Sequence, residues 1–273
     1  MTKLTHTQDI WQARYAQSSP LSQIDPLVAR LMGHRSVRAY SDRAVEDDVL
    51  LQAIAAAQSA STSSNLQAWS VVAVRDPAKR ARLSALCGNQ RHINDAPVFL
   101  IWLVDWSRLR RIAATQDQPS DGTDYLESYT VGVVDAALAA QNAAVALEAL
   151  GLGLVYIGGI RNHPEDVAAE LGLPSGTFAL VGMSIGYPDP ARPADIKPRL
   201  SQATILHNET YDSAPEQAAV AAYDAAMVDF QRAQGRGDLP WSATAVQRVK
   251  GPGSLSGRER LRDALQNLGL PLI

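Results

Sequence analysis

Apolar residues recur at helical spacing in some stretches of this chain and form unbroken runs in others. Between residues 46 and 59 they stand at Val49, Leu50, Ala53, Ile54 and Ala57, one face of a helix, with Ser41 and Asp42 as candidate caps. Residues 22–32 read as a helix ending at Gly33, and 77–86 as a short one ending at Gly88. Pro164 opens a helix over 164–171 that Gly172 stops, and another runs from about 214 to 233. The longest helix spans 124–150; from Asp135 onward it is packed with alanine and apolar on most sides, and Gly151-Leu152-Gly153 ends it. Strands fall at 69–74 (WSVVAV), 98–104 (VFLIWLV), 154–157 and 179–185. The second is uninterrupted by polar residues, as expected of a strand covered on both faces. Small strands among dominant helices point to an α+β or α/β fold.

Two stretches break the pattern. Residues 115–123 (TQDQPSDGT) are polar and turn-rich, and read as a surface loop. The tail from about residue 234 is rich in Gly, Arg and Pro, yet carries Trp241, Val246 and Leu261, which should pack it onto a body.

Composition narrows the function classes. A chain of 273 residues, 46% of them hydrophobic, can bury the core of one large domain or two small ones. With 25 basic and 28 acidic residues the net charge is −3, which supplies no global field for nucleic acid or an anionic membrane. Arg248, Arg258, Arg260 and Arg262 are interleaved with apolar residues and do not change that. The single cysteine, Cys87, rules out an intrachain disulfide and fits a reducing compartment. No apolar run looks long enough for a membrane span, and the N-terminus has no signal-peptide core, so a cytoplasmic protein is expected.

Four segments carry candidate chemistry. His34-Arg35-Ser36-Val37-Arg38 concentrates cations and a hydroxyl after Gly33. Forked Arg donors suit phosphate, but a solvated basic turn looks the same. Lys197-Pro198-Arg199 holds two cations on an extended backbone, and is equally a surface turn on its own. Tyr156-Ile157-Gly158-Gly159-Ile160-Arg161 ends a strand in two glycines, which lets a flat ligand approach the backbone or simply makes a turn. Residues 61–65 (STSSN) offer hydroxyls to a polyol or ring edge, or terminate a helix. The five histidines have no metal-ligand spacing, no G-x-S-x-G elbow is present, and Gly151-Leu152-Gly153 precedes a strand, unlike a dinucleotide fingerprint. Cys87 reads as a small buried residue. Anion and flat-ligand features without a hydrolytic constellation favour a cofactor that carries the chemistry itself.

In order and spacing these segments resemble the nitroreductase superfamily, in its NADPH-dependent nitroreductase and flavin reductase branch. The resemblance rests on GHRSVRAYSD (33–42), STSSNLQAWS (61–70), CGNQRHINDAPVF (87–99), the stretch 131–162 and IKPRLSQATILHNETY (196–211). It runs from about residue 27 to at least 245. It implies an α+β fold with a mixed sheet wrapped by helices, in an intertwined homodimer whose interface suits the long helix. Residues 1–26 form an N-terminal extension, and 27–273 an FMN-binding domain with a C-terminal helical excursion. His34, Arg35 and Ser36 match residues around the FMN phosphate and ribityl chain, Arg38 a cation near flavin N1 and O2, and Lys197 and Arg199 a second phosphate pair. Gln90 matches a residue on the pyrimidine edge. The backbone of Tyr156, Ile157, Gly158 and Gly159 passes beside the ring, with the Gly158 N–H toward N5. Thr62, Ser63 and Ser64 match a serine-rich segment that the family supplies from the partner subunit. Arg161 and Arg236 match contacts to substrate or the NADPH phosphate. Asn65 stands where close relatives carry an aromatic, and Thr62 replaces a serine, so the oxidant is the property that transfers least. The implied activity is ping-pong hydride transfer from NADPH, in preference to NADH, through FMN N5 to a nitroaromatic, quinone or flavin, with no catalytic side chain and no metal. The alternatives are a dedicated free-flavin reductase and a flavin-binding protein without turnover.

Overall fold

The computed structural model describes residues 7–273; the first six residues of the expected extension lie outside the described residues. In chain order the helices begin with α1 (Thr7–Tyr15), α2 (Pro26–Met32), α3 (Asp47–Gln58), α4 (Pro77–Leu86), α5 (Arg91–Asp95) and α6 (Ser107–Thr115). They continue with α7 (Leu126–Ala149), α8 (Pro164–Leu171), α9 (Gln202–Ile205), α10 (Glu216–Ala233), α11 (Trp241–Val249) and α12 (Leu261–Asn267). Strands β1 (Trp69–Val74), β2 (Val98–Asp105), β3 (Gly153–Ile157) and β4 (Thr177–Gly186) form one sheet in the order β1-β2-β4-β3. Two compact units result. One comprises Ser36–Ala194 with Ser256–Ile273, and the other Met1–Arg35 with Asp195–Leu255.

The first unit holds the sheet. All its strand pairs are antiparallel. The expected mixed sheet reduces to one parallel bridge, Ser36 beside Leu154, where the Val37 N–H donates to Leu154 O at 2.9 Å. That segment is too short for a ladder, because Tyr40 already turns to bridge Pro188. All eight residues of β2 are buried. Val98, Leu100 and Trp102 pack into a cluster with Ala53 and Ala57 of α3 and the alanines of α7. Phe99, Ile101 and Leu103 face Leu83 of α4, Ile160 and Val167 of α8. Cover on both faces, not parallel pairing, accounts for the unbroken apolar run.

Helix α7 approaches the sheet closely because its inner face is small. A Cβ on Gly132 would lie 2.6 Å from Val104 Cγ1, and Ala136, Ala139, Ala140, Ala143 and Ala144 continue that face. Its 24 residues are also long and apolar enough to cross a membrane by length and composition, contrary to the expectation from sequence. Alanine and valine raise the average, but the helix belongs to a protein core, with its inner side against β2. Gly182 of β4 makes room for a ring in the same way: a Cβ there would sit 2.4 Å from Phe99 Cζ. Gly182→Ala is therefore expected to destabilise the fold by about 1–3 kcal/mol through overpacking, read as a lower urea midpoint with unchanged m.

Several element ends differ from expectation. Asp25 accepts from the Leu27 and Val28 N–H groups, so α2 starts at Pro26. Ser41 and Asp42 do not cap α3. An extended stretch intervenes, Glu46 precedes the helix without a side-chain cap, and the Ser41 N–H donates to Tyr187 O instead. Residues 115–123 hold the end of α6 and a short turn of helix over Asp121–Asp124. In the tail, Leu261, Leu265, Leu268 and Leu270 pack with Trp106 and Phe178. Trp241 meets Tyr223 at 5.3 Å within the second unit, whereas Val246 is exposed on α11.

Candidate active site

The serine-rich loop hangs from a single buried carboxylate. Asp135 on α7 is 1% exposed. Its Oδ2 accepts from Thr62 Oγ1 at 2.5 Å and from the Ala68 N–H at 3.1 Å, and its Oδ1 accepts from the Ser63 N–H at 3.0 Å. Thr62 Oγ1 in turn accepts from the Gln67 N–H. Between these anchors Ser64, Asn65 and Gln67 adopt φ of 48°, 56° and 50°, left-handed values that non-glycine residues rarely hold. A buried charge bonded to both ends of such a loop is what over-determines it. Ser63, Ser64 and Asn65 are exposed. Beside them opens a groove of about 680 Å³ lined by Asn65, Gln67, Trp69, Arg108 and Ile112 among others. Arg108 donates to Gln67 O and Trp69 O, covering part of the β1 edge.

A second cluster forms at the end of β3. Gly158 and Gly159 begin a short helical turn, Gly158–Arg161. A Cβ on Gly159 would lie 2.6 Å from both Cys87 O and Gln90 Nε2, so this glycine is required by close approach to the loop after α4. Gln90 Nε2 donates to Cys87 O at 2.9 Å, which orients the amide and leaves its oxygen as an acceptor. Cys87 is buried, and burial pushes its thiol up to about 12, which makes it inert at neutral pH. A Cβ on Gly158 would stand 3.4 Å from Arg161 Nη2 and 3.7 Å from Arg258 Nη1. Arg161 also donates to Leu180 O, and burial first, then the Arg258 charge, lowers its pKa. Gly257 at φ 88° and a bidentate Arg260–Glu165 pair hold the segment that carries Arg258. Tyr156 turns its hydroxyl to Gln141 Oε1 at 3.3 Å; burial and then Glu148 raise its pKa. Arg38 is exposed near His92 of α5, whose pKa falls through burial and then through the Arg38 charge. Ser36 sits at the parallel bridge and is exposed. Among the described residues, no hydrogen bond joins the 62–65 loop to the 156–161 turn.

The second unit holds the remaining basic segments. His34, Arg35, Lys197 and Arg199 all belong to it, and the backbones of residues 34 and 197 are bonded to one guanidinium, that of Arg14. Tyr223 Oη donates to Pro198 O at 3.0 Å and steadies the same segment. Arg35 Nε is buried without a hydrogen-bond partner. Arg236 is exposed after α10, between Gly235 and Gly237, both at positive φ.

Residues 31–187 match the Nitroreductase family, and residues 197–273 match the Nitroreductase family, C-terminal domain. The chain belongs to the nitroreductase family. It is 34% identical over 228 residues to FMN reductase (NADPH) of Bacillus subtilis, covering 82% of this chain and 91% of that protein. It is 38% identical over 212 residues to the oxygen-insensitive NADPH nitroreductase of Salmonella typhimurium, covering 78% and 85%. The solved structure of B. megaterium NfrA2 superposes with a TM-score of 0.85 at 37% identity, covering 92% of this nitroreductase and 100% of that chain.

The residues present fit the flavin this family implies. Arg35 carries a buried donor that the protein leaves unsatisfied, a condition an anion relieves. The Gly158 position is bordered by guanidinium groups and not by backbone, so a flat, electron-accepting ring can approach it. Two residues of this nitroreductase escaped the sequence reading. Asp135 was visible as a lone carboxylate in an alanine-rich helix, but its partners lie 67 to 73 positions away. Arg258 stood among the tail arginines with no signal that set it apart.

Proposed function

We propose that this nitroreductase is an FMN-dependent NAD(P)H oxidoreductase, cytoplasmic and homodimeric, that reduces nitroaromatics, quinones or flavins by ping-pong kinetics. The observation that carries the reading is the Gly158–Gly159 turn, bordered by Gln90, Arg161 and Arg258 in a site without a nucleophile. FMN, when bound, supplies the hydride acceptor and donor. The chain supplies position and charge. Arg35, Lys197 and Arg199, with His34 and Ser36, hold the phosphate and ribityl end, through charge-assisted contacts. Arg38 lies toward the ring and favours its reduced, anionic form. Gln90 holds the pyrimidine edge through its amide oxygen, and the backbone of Tyr156, Ile157, Gly158 and Gly159 borders the ring. Arg161 and Arg236 meet the reductant or acceptor, and NADPH is the reductant. Thr62, Ser63, Ser64 and Asn65 line the acceptor side, and in a homodimer this loop serves the partner's site.

Exposed apolar residues support the dimer: Leu51 on α3 is 68% exposed, and Val134 and Leu138 on α7 are exposed as well. Residues 1–26 are an extension to the FMN-binding domain, and α9, α10 and α11 are its C-terminal excursion.

The test starts with colour. The purified protein should be yellow, bleach anaerobically with NADPH, and bleach more slowly with NADH; a yellow protein that does not bleach is a flavin binder without turnover. Arg35→Ala and Arg199→Ala should each weaken FMN retention by about 1.5–3 kcal/mol, roughly ten- to hundredfold in Kd. Full flavin content in both variants would overturn the phosphate assignment. The name of the B. subtilis relative supports a dedicated flavin reductase as second reading. Turnover with free FMN far above that with nitrofurazone or a quinone would select it.

A further inference from the structure

Arg14 lies in α1, ahead of the residues that match the family. It is 5% exposed. Its Nε and Nη2 donate to Met32 O at 2.9 and 2.6 Å, Nη2 also donates to His34 O at 2.6 Å, and Nη1 donates to Lys197 O at 2.6 Å. In return the Arg14 carbonyl accepts from the Arg199 N–H at 2.8 Å. One residue of the extension thus binds the main chain on both basic segments, the one with His34 and Arg35 and the one with Lys197 and Arg199. Those segments are more than 160 residues apart in sequence. Both lie with Arg14 in one compact unit. Trp11, buried one turn earlier and tilted against Tyr15 with ring centroids 4.8 Å apart, anchors the helix that presents it.

The planar fork matters here. A guanidinium offers five donors in fixed directions and stays charged when buried, so it can serve three carbonyls at once. An ammonium is a compact point charge with three donors on one atom, fewer than the four contacts the guanidinium makes here. Arg35, Lys197 and Arg199 bring three like charges to these two segments. A scaffold that fixes their backbones lowers the ordering cost when an anion binds.

We propose that Arg14 is a positioning residue for the phosphate cradle, so that the N-terminal extension sets how well this protein distinguishes a flavin with a phosphate from one without. The inference rests on the proposed FMN reading. It makes Arg14 act on the phosphate end of the ligand and not on the ring.

The test uses full-length apoprotein and measures Kd for FMN and for riboflavin by flavin fluorescence quenching, with apoprotein Tm alongside. Arg14→Met should weaken FMN binding by about tenfold or more, the equivalent of roughly 1.4 kcal/mol, while riboflavin affinity changes little. Arg14→Lys, which keeps the charge and tolerates the fold best, should fall between, with a reduced FMN-to-riboflavin ratio. An unchanged ratio in folded Arg14→Lys and Arg14→Met overturns the proposal, and so does an equal loss for both ligands, which marks a merely structural role. If Arg14→Met does not fold, the ratio in Arg14→Lys decides. Arg35→Ala and Arg199→Ala separate the two levels. If those two leave the ratio intact, the phosphate reading itself fails and the role of Arg14 falls with it. If they collapse the ratio and Arg14→Lys does not, only the role of Arg14 is wrong.

Discussion

Asp135→Asn is expected to keep this nitroreductase folded while lowering kcat/KM for the electron acceptor by about tenfold or more, a loss of roughly 1.4 kcal/mol in transition-state stabilisation. The carboxylate accepts from Thr62 Oγ1, the Ser63 N–H and the Ala68 N–H. An asparagine keeps one acceptor oxygen and presents an NH2 group to donors on its other side, so at least one contact turns unfavourable. The loop between those contacts holds three non-glycine residues at positive φ, and loses its reason to stay there. Asp135→Ala goes further. It leaves all three donors without their partner and should cost about 3–5 kcal/mol of stability, seen as a large drop in the urea midpoint. Thr62→Ser should behave like the parent and Thr62→Val like Asp135→Asn, since only the former keeps the hydroxyl. A lower midpoint with kcat/KM unchanged per folded molecule would show that the loop matters for stability and not for the acceptor.

The secondary structure was largely legible because periodicity is local. The rhythm of Val49, Leu50, Ala53, Ile54 and Ala57 announces α3, and the apolar run at 98–104 announces β2. Pairing is not local. Nothing in residues 98–104 says that both neighbours are antiparallel, since double cover alone produces that run. Caps failed for a similar reason: Ser41 and Asp42 have the right chemistry, but the chain stays extended to Glu46 because Ser41 is bonded to Tyr187. The short helices α5 and α9, five and four residues long, have too few positions for a period to register. Within the site, the two glycines at 158 and 159 stood out as residue types. What crowds them did not, because Cys87, Gln90 and Arg258 reach them from 69 to 100 positions away. Asn65 gained a physical account. At φ 56° asparagine is among the few side chains tolerated, so its presence accords with the local backbone.

The adjacent glycines give the sharpest separation between fold and ligand. Gly159→Ala puts a methyl 2.6 Å from the Cys87 carbonyl and from Gln90 Nε2. The side-chain amide can swing aside, but the carbonyl is backbone, and the Gln90–Cys87 bond breaks as both move. Stability should fall by about 1–3 kcal/mol, and flavin should be lost with it because Gln90 is displaced. Gly158→Ala meets only the far ends of two arginines, at 3.4 and 3.7 Å, which is ordinary contact. Its Tm should stay near that of the parent. In the proposed site the flavin ring borders that backbone, so a methyl there should lower flavin affinity tenfold or more, about 1.4 kcal/mol. Flavin content and Tm measured on both variants read the two effects apart. Were Gly158→Ala to purify with full flavin, the turn would not border the ring, and the site would have to be rebuilt around Arg161 and Arg258 alone.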